Sequence, residues 1–265
     1  MNIVVLVKQV PDTYSERKLD ASDGTLDRDA TDAVLDEINE RAVEAALQLK
    51  EAGVGPGDGS EVTVVTMGPD RATDAIRKAL SMGADKAVHL TDPALAGSDA
   101  IGTARALAAA IGSNGGFDLI LAGNEASDGR SGATPAMVAE LLGVPALTHA
   151  REITVDGSSV TVRRETDEGV TVLSADLPAV VSVNEKINEP RYPSFKGIMA
   201  AKKKPVSTLA LADVGVDAGQ VGSAGALTAV TSAQPKPPKS AGEKVTDEGD
   251  GGQKIAAFLV AQKLI

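Results

Sequence analysis

The residues best placed to do chemistry lie in one run, Gly123-Asn124-Glu125-Ala126-Ser127-Asp128-Gly129-Arg130-Ser131-Gly132-Ala133-Thr134. It follows the apolar stretch FDLILA (residues 117–122) and leads into a helical pattern carrying Met137, Val138, Leu141 and Leu142. Thr134 followed by Pro135 reads as a cap and first-turn pair, and Gly143 as the stop. A glycine-rich turn from strand to helix presents backbone N–H groups and a positive helix end to an anion such as a phosphate. An ordinary long connection that needs glycine for its turns gives the same composition. The run is neither a Walker A loop nor a G-x-G-x-x-G fingerprint. Ser131 stands in G-R-S-G-A, which departs from the nucleophile elbow at Ala133, so a serine hydrolase is not indicated.

Other catalytic constellations are missing from the sequence. The two histidines, His89 within a strand pattern and His149 on a connection, have no second histidine nearby and read as structural residues rather than a zinc site. The chain has no cysteine, which excludes disulfides, thiol catalysis and iron–sulfur ligation by its own residues. Carboxylates are plentiful but scattered along helices as solvated faces. An anion cradle without an acid–base pair points to a binding or carrier subunit, not a self-contained enzyme.

The elements that must position the cradle alternate. Residues 3–7, 61–67, 86–90 and 117–122 are short apolar strands. Helical patterns at 36–52, 71–82, 98–111 and from 134 onward separate or follow them. Strands apolar on both faces imply a parallel sheet covered by helices on both sides, a Rossmann-like α/β fold. From Arg151 the period changes to two, with a hairpin signal at Asp156-Gly157, which predicts a small antiparallel excursion. Residues 177–183 return as a buried strand, and 184–204 read as a polar, proline-containing loop. The expected division is an α/β domain over residues 1–215 and a C-terminal arm over 216–265. That arm consists of a linker around QPKPPKSAGEK and a short apolar terminal helix.

Composition narrows the partners. The apolar share is 43%, yet only five residues are aromatic, so the core must be aliphatic. With 26 basic against 37 acidic residues and few stacking platforms, nucleic acid is not an expected partner. The apolar run at residues 3–7 is too short for a signal sequence, and no stretch reaches a membrane span, so a cytoplasmic protein without membrane insertion is expected. Residues 185–204 run against the net charge of −11, with Lys186, Arg191, Lys196, Lys202, Lys203 and Lys204 facing only two acidic residues.

That basic segment, Asn188-Glu189-Pro190-Arg191-Tyr192-Pro193-Ser194-Phe195-Lys196-Gly197-Ile198-Met199-Ala200-Ala201-Lys202-Lys203-Lys204, resembles the signature of the electron-transfer flavoprotein beta subunit. The resemblance extends to VLVKQVPD, AVEAALQLKE, MGPDRATDAIRKALSMGADKAVHL, the run from Gly123 and LPAVVSVNEKINEPRYP, and is weakest in the C-terminal linker. It implies one half of an alpha–beta heterodimer that takes electrons from acyl-CoA dehydrogenases of fatty acid beta-oxidation and other flavin dehydrogenases. It passes them to a membrane-bound quinone oxidoreductase. FAD is then held mainly by the alpha subunit and a structural AMP by the beta subunit.

By position, the resemblance places AMP contacts at Leu6, at Asp36, Glu37, Ile38 and Asn39, at Met67, and along the run from Gly123 to Thr134. Asp36 stands where Asn is common, and Arg130 to Ala133 depart from the usual loop. The loop around Phe195 is similar to a recognition loop whose exposed apolar residue anchors in the partner dehydrogenase, which makes Arg191, Tyr192, Phe195, Ile198 and Met199 candidate partner contacts. The loop ending at Tyr14 resembles a segment that approaches the flavin. Two alternatives stay open: a bifurcating flavoprotein with a second FAD in place of AMP, and a stand-alone ATP-binding or hydrolysing protein of the same fold.

Overall fold

The computed structural model describes residues 1–20, 22–57, 59–234, 236–239, 242 and 244–265. The chain opens with β1 (Asn2–Leu6), β2 (Gln9–Pro11), β3 (Lys18–Leu19), β4 (Leu26–Asp27) and β5 (Ala33–Leu35). There follow α1 (Glu37–Ala52), β6 (Glu61–Met67), α2 (Thr73–Met82), β7 (Lys86–Leu90), α3 (Ala100–Gly112), β8 (Leu119–Gly123) and α4 (Thr134–Leu142). The rest comprises β9 (Ala146–Asp156), β10 (Ser159–Thr166), β11 (Gly169–Asp176), β12 (Ala179–Val183), α5 (Phe195–Ala201), β13 (Val206–Leu209), α6 (Gly222–Gly225) and α7 (Gly251–Ala261).

Among the described residues, nine strands form one sheet in the order β11-β10-β9-β12-β8-β1-β6-β7-β13. Its central strands are parallel, with Val4 opposite Thr63 on one side and Ile120 on the other. After β7 the chain crosses back to lay β8 on the far side of β1, so the direction of winding reverses between β1 and β8. Ligands of open α/β sheets bind at the carboxyl ends of strands flanking such a reversal. β2 pairs with β5 and β3 with β4, making an antiparallel excursion between β1 and α1 that carries no strong strand signal in the sequence.

Helices cover both faces, as the doubly apolar strands require. One core packs α1 and α2 through Val43, Leu47, Ile76 and Leu80. The other packs α3 and α4 through Leu107, Ile111 and Val138. The largest fully buried side chains are Ile, Leu and Val, each contributing about 1.5–3 kcal/mol by burial. Tyr14, Tyr192, Phe195 and Phe258 are all exposed.

Four local expectations change. The N-cap of α4 is Ala133, not Thr134; Thr134 is the first helical residue and its hydroxyl lies 3.5 Å from that of Ser131. β9 begins at Ala146 because its first half pairs in parallel with β12 before its second half turns antiparallel to β10. The hairpin turn is Gly157-Ser158, with Asp156 the last residue of β9 and Gly157 at φ +56. Residues 184–204 are not wholly loop: Ser194 accepts the Gly197 N–H and caps α5, a helix too short to show periodicity.

Contacts divide the chain at Thr231/Ser232 rather than 215/216. Residues 216–231 belong to the first unit because the Gly222 N–H donates to Ser98 Oγ (2.8 Å) and the Ser223 N–H to the Ala96 carbonyl (2.9 Å). Gly222 has φ +62, and a Cβ there would stand 2.0 Å from the Ala94 oxygen, so glycine is required. Within the second unit, α7 carries exposed Ile255, Phe258 and Val260. In the linker run, Pro235, Ser240, Ala241 and Glu243 lie outside the described residues. Among the described residues no helix is long and apolar enough to cross a membrane.

Candidate functional site

A cavity of about 410 Å3 opens at the carboxyl ends of β1, β6 and β8, at the reversal of winding. Its apolar end is formed by Leu6, Met67, Leu95, Leu107 and Ala122, and its polar end by the loop between β8 and α4. Of the residues expected to contact a nucleotide, Leu6, Asn39, Met67, Gly123, Asn124, Glu125, Ala126, Asp128, Gly129, Arg130, Ser131, Gly132 and Thr134 line it. Asp36, Glu37, Ile38, Ser127 and Ala133 do not.

Asp36 acts instead from behind the wall. It is 1% exposed; its Oδ1 accepts the N–H groups of Ile38 and Asn39, capping α1, and its Oδ2 accepts the Ser127 N–H at 2.8 Å. One carboxylate therefore starts a helix and ties the loop to it. Gly123 packs close to this junction: a Cβ would lie 2.5 Å from Asn39 Nδ2 and would push that side chain aside. Glu37 is exposed, and Ile38 sits against Gly123.

The electrostatics of the loop centre on Asp128, whose side chain is fully covered. It accepts Lys8 Nζ at 2.9 Å, Arg28 Nε and Nη2 at 3.0 and 2.9 Å, and the Gly129 N–H at 2.8 Å. Burial pushes its carboxyl up, but Lys8 and Arg28 outweigh burial and hold it below the usual carboxylate range. Arg71 binds Asp29 (2.7 Å) and the Arg28 carbonyl (2.8 Å), fastening the excursion against the cavity. Lys8, Arg28 and Arg71 escaped the sequence reading. Lys8 follows β1 directly, but nothing in the sequence brings residue 28 to residue 128.

Four cationic side chains, those of Lys8, Arg28, Arg71 and Arg130, face three carboxylates, those of Asp29, Glu125 and Asp128, leaving an excess of positive charge. Ser127 Oγ and Arg71 Nε are buried without a protein partner. Arg130 has φ +49 and Gly132 φ +64, and within this turn the Arg130 N–H donates to the Ala126 carbonyl at 2.9 Å. Asn124 is drawn to the rim, where its Nδ2 lies 3.2 Å from His149 Nδ1. His89 is buried, its Nε2 3.0 Å from the Gly68 carbonyl oxygen. An anion fits this end: Arg71 Nε without a protein partner, the start of α4 and an excess of positive charge converge there.

The second candidate surface is the segment after β12. Tyr192 and Phe195 are 94% and 79% exposed, and Ile198 and Met199 are about half exposed. Arg191 is different. Its guanidinium binds Glu44 through Nε and Nη2 (2.7 and 3.0 Å) and Glu51 through Nη1 and Nη2 (2.5 and 3.0 Å), both on α1. Lys204 also turns inward, donating to the Leu80 and Ala84 carbonyls at the end of α2, where burial lowers its pKa. Lys186, Lys196, Lys202 and Lys203 remain exposed.

Fold and site together define an open, mostly parallel α/β protein with a cation-rich pocket at its switch point and an exposed apolar tip. The family model "Electron transfer flavoprotein domain" matches residues 23–214. The chain is 63% identical over 264 residues to the electron transfer flavoprotein subunit beta of Mycobacterium tuberculosis, covering 100% of this chain and 99% of that one. It is 39% identical over 275 residues to the subunit beta of Megasphaera elsdenii, covering all of both. It is also 35% identical over 262 residues to the Caffeyl-CoA reductase-Etf complex subunit CarD of Acetobacterium woodii, covering 99% and 97%. The chain belongs to the electron transfer flavoprotein beta subunit family.

Proposed function

We propose that this chain is the nucleotide-holding, partner-docking half of an electron carrier. It pairs with a flavin-bearing alpha subunit, accepts electrons from acyl-CoA and other flavin dehydrogenases, and passes them to a quinone oxidoreductase, in the cytoplasm. The observation that carries the reading is a pocket built to hold rather than to react: its titratable groups are tied in ion pairs, its lining carries an excess of cations, and α4 starts at its edge.

AMP fits as the resident. The cavity lies toward the lower end of the range for small-molecule sites, roughly 300–1,000 Å3, which favours a mononucleotide over a dinucleotide. Leu6, Met67, Leu95 and Leu107 would take the base. Gly132 and the start of α4 would take the phosphate, with Arg130 at the rim. The redox chemistry belongs to FAD on the alpha subunit; this chain positions it and docks the donor. Tyr192, Phe195, Ile198 and Met199 form an apolar tip framed by exposed lysines, the composition of a small, releasable docking site. A second reading, a further FAD in the pocket, draws on the relative from a caffeyl-CoA reductase complex.

The test is to co-purify the chain with its alpha subunit and analyse the nucleotides released by acid. One FAD and one AMP per heterodimer is expected, whereas two FAD and no AMP replaces the first reading with the second. A colourless, unpaired chain that hydrolyses ATP overturns both. Gly129→Ala sharpens the result: a Cβ there meets no protein atom within 4 Å, so loss of AMP from a stable variant reports the crowded ligand.

A further inference from the structure

The apolar tip is pinned at both ends. On one side, α5 lies so close to α2 that a Cβ on Gly197 would stand 2.4 Å from the Ser81 oxygen, and Arg77 donates to the Ala201 carbonyl at 2.8 Å. On the other, residues 188–191 lie along α1. Asn188 Nδ2 donates to the Arg41 carbonyl (3.0 Å), Arg41 approaches Glu189 (3.5 Å), and Arg191 grips Glu44 and Glu51. Arg41, Glu44 and Glu51 recur at helical spacing and so share one face of α1.

The Arg191 contacts are not those of a surface charge waiting for a partner. Glu44 is 4% exposed, accepts the Arg191 backbone N–H as well as its side chain, and is held in turn by Gln48 Nε2 at 3.0 Å. The two carboxylates raise the Arg191 pKa, with the Glu51 hydrogen bonds the largest cause. Planar, bidentate pairing is a property of the guanidinium that an ammonium cannot reproduce.

We propose that Arg191 is a positioning residue: clamped by Glu44 and Glu51, it fixes the direction in which Tyr192 and Phe195 leave α1, and it does not itself touch the partner. The proposal rests on the docking role of the tip given above. Its consequence is that affinity for the dehydrogenase comes from pre-organisation, since a tip held in place loses little freedom on docking.

Arg191→Lys separates the alternatives, because it keeps the charge beside buried Glu44 but loses the fork. In the co-purified heterodimer, reduction by an acyl-CoA dehydrogenase should show KM raised roughly tenfold, as expected for loss of charged hydrogen bonds, with kcat within about twofold. The salt dependence of kcat/KM should stay that of the parent, amide exchange across residues 192–201 should accelerate, and Glu44→Gln should reproduce these effects. Adding Arg191→Lys to Glu44→Gln should change little further. If Arg191→Lys keeps parental KM and exchange while Arg191→Ala flattens the salt dependence, the arginine is a direct charge contact and the clamp is overturned. Phe195→Ala tells the two levels apart: parental KM there overturns the docking role itself, whereas a raised KM there beside parental KM in Arg191→Lys overturns only the clamp.

Discussion

The two ends of α1 serve two sites of opposite character. At its N-terminus Asp36 binds the loop between β8 and α4 and helps close a pocket. Along one face Glu44 and Glu51 bind Arg191 beside an apolar tip that stands out into solvent. The first is an enclosed pocket whose lining carries an excess of positive charge. The second is an exposed tip, with side chains an aliphatic core would otherwise have absorbed. A rigid helix can hold both because each needs only one or two carboxylates from it, placed by helical spacing.

The largest expected effect tests whether α1 is shared. Asp36→Ala removes the α1 cap and leaves the Ser127 N–H without its acceptor, costing about 2–4 kcal/mol in urea unfolding, with loss of nucleotide. A cost below about 1 kcal/mol would show that the loop holds itself. Next come two glycine substitutions that should separate the sites. Gly123→Ala, crowding Asn39, should lower nucleotide content and leave dehydrogenase KM unchanged; Gly197→Ala, crowding Ser81, should raise that KM and spare the nucleotide. Each should cost about 1–3 kcal/mol. If both variants lose both properties, the sites are coupled through α1 rather than merely seated on it.

A smaller effect follows from Asp128. Its carboxyl is held below the usual range in the folded chain, so its stabilising contribution is complete above the unfolded pKa of about 3.9. That contribution is lost as pH falls through the lower folded value. Stability of the parent should therefore drop below about pH 4 more steeply than that of Asp128→Asn, as followed by denaturant midpoints; parallel curves would refute the ion-pair account. The smallest effect belongs to the tip's rim. Replacing Lys196, Lys202 and Lys203 with Gln should shift stability by under about 0.5 kcal/mol per site, yet weaken the salt dependence of electron delivery by reducing electrostatic steering. An unchanged salt dependence would assign the docking affinity to the apolar residues alone.

Much of this was legible in the linear chain. Strand and helix alternation fixed the parallel core, and the run from Gly123 to Thr134 marked the loop that lines the pocket. The motif around Arg191 marked the exposed tip. The excursion carrying Arg28 was not legible, because strands of two or three residues have no periodicity to detect, and its pairing with residue 128 spans 100 positions. Nor was the division of labour within the basic segment. Five lysines and one arginine in sequence become four exposed lysines and two internal clamps, Arg191 and Lys204.

What the amino-acid sequence determined by itself was therefore the periodic and the local: which segments are strands and helices, that the core is aliphatic, and where glycine permits a tight loop. These depend on neighbours within a few residues and on the bulk sorting of apolar from polar groups. What only the tertiary structure decided was which charges meet. Asp36 reaches Ser127, Arg28 reaches Asp128 and Arg191 reaches Glu44 because the winding of the sheet reverses at β1 and brings distant loops together around it. An ion pair or a hydrogen bond carries no periodic trace in the chain that forms it.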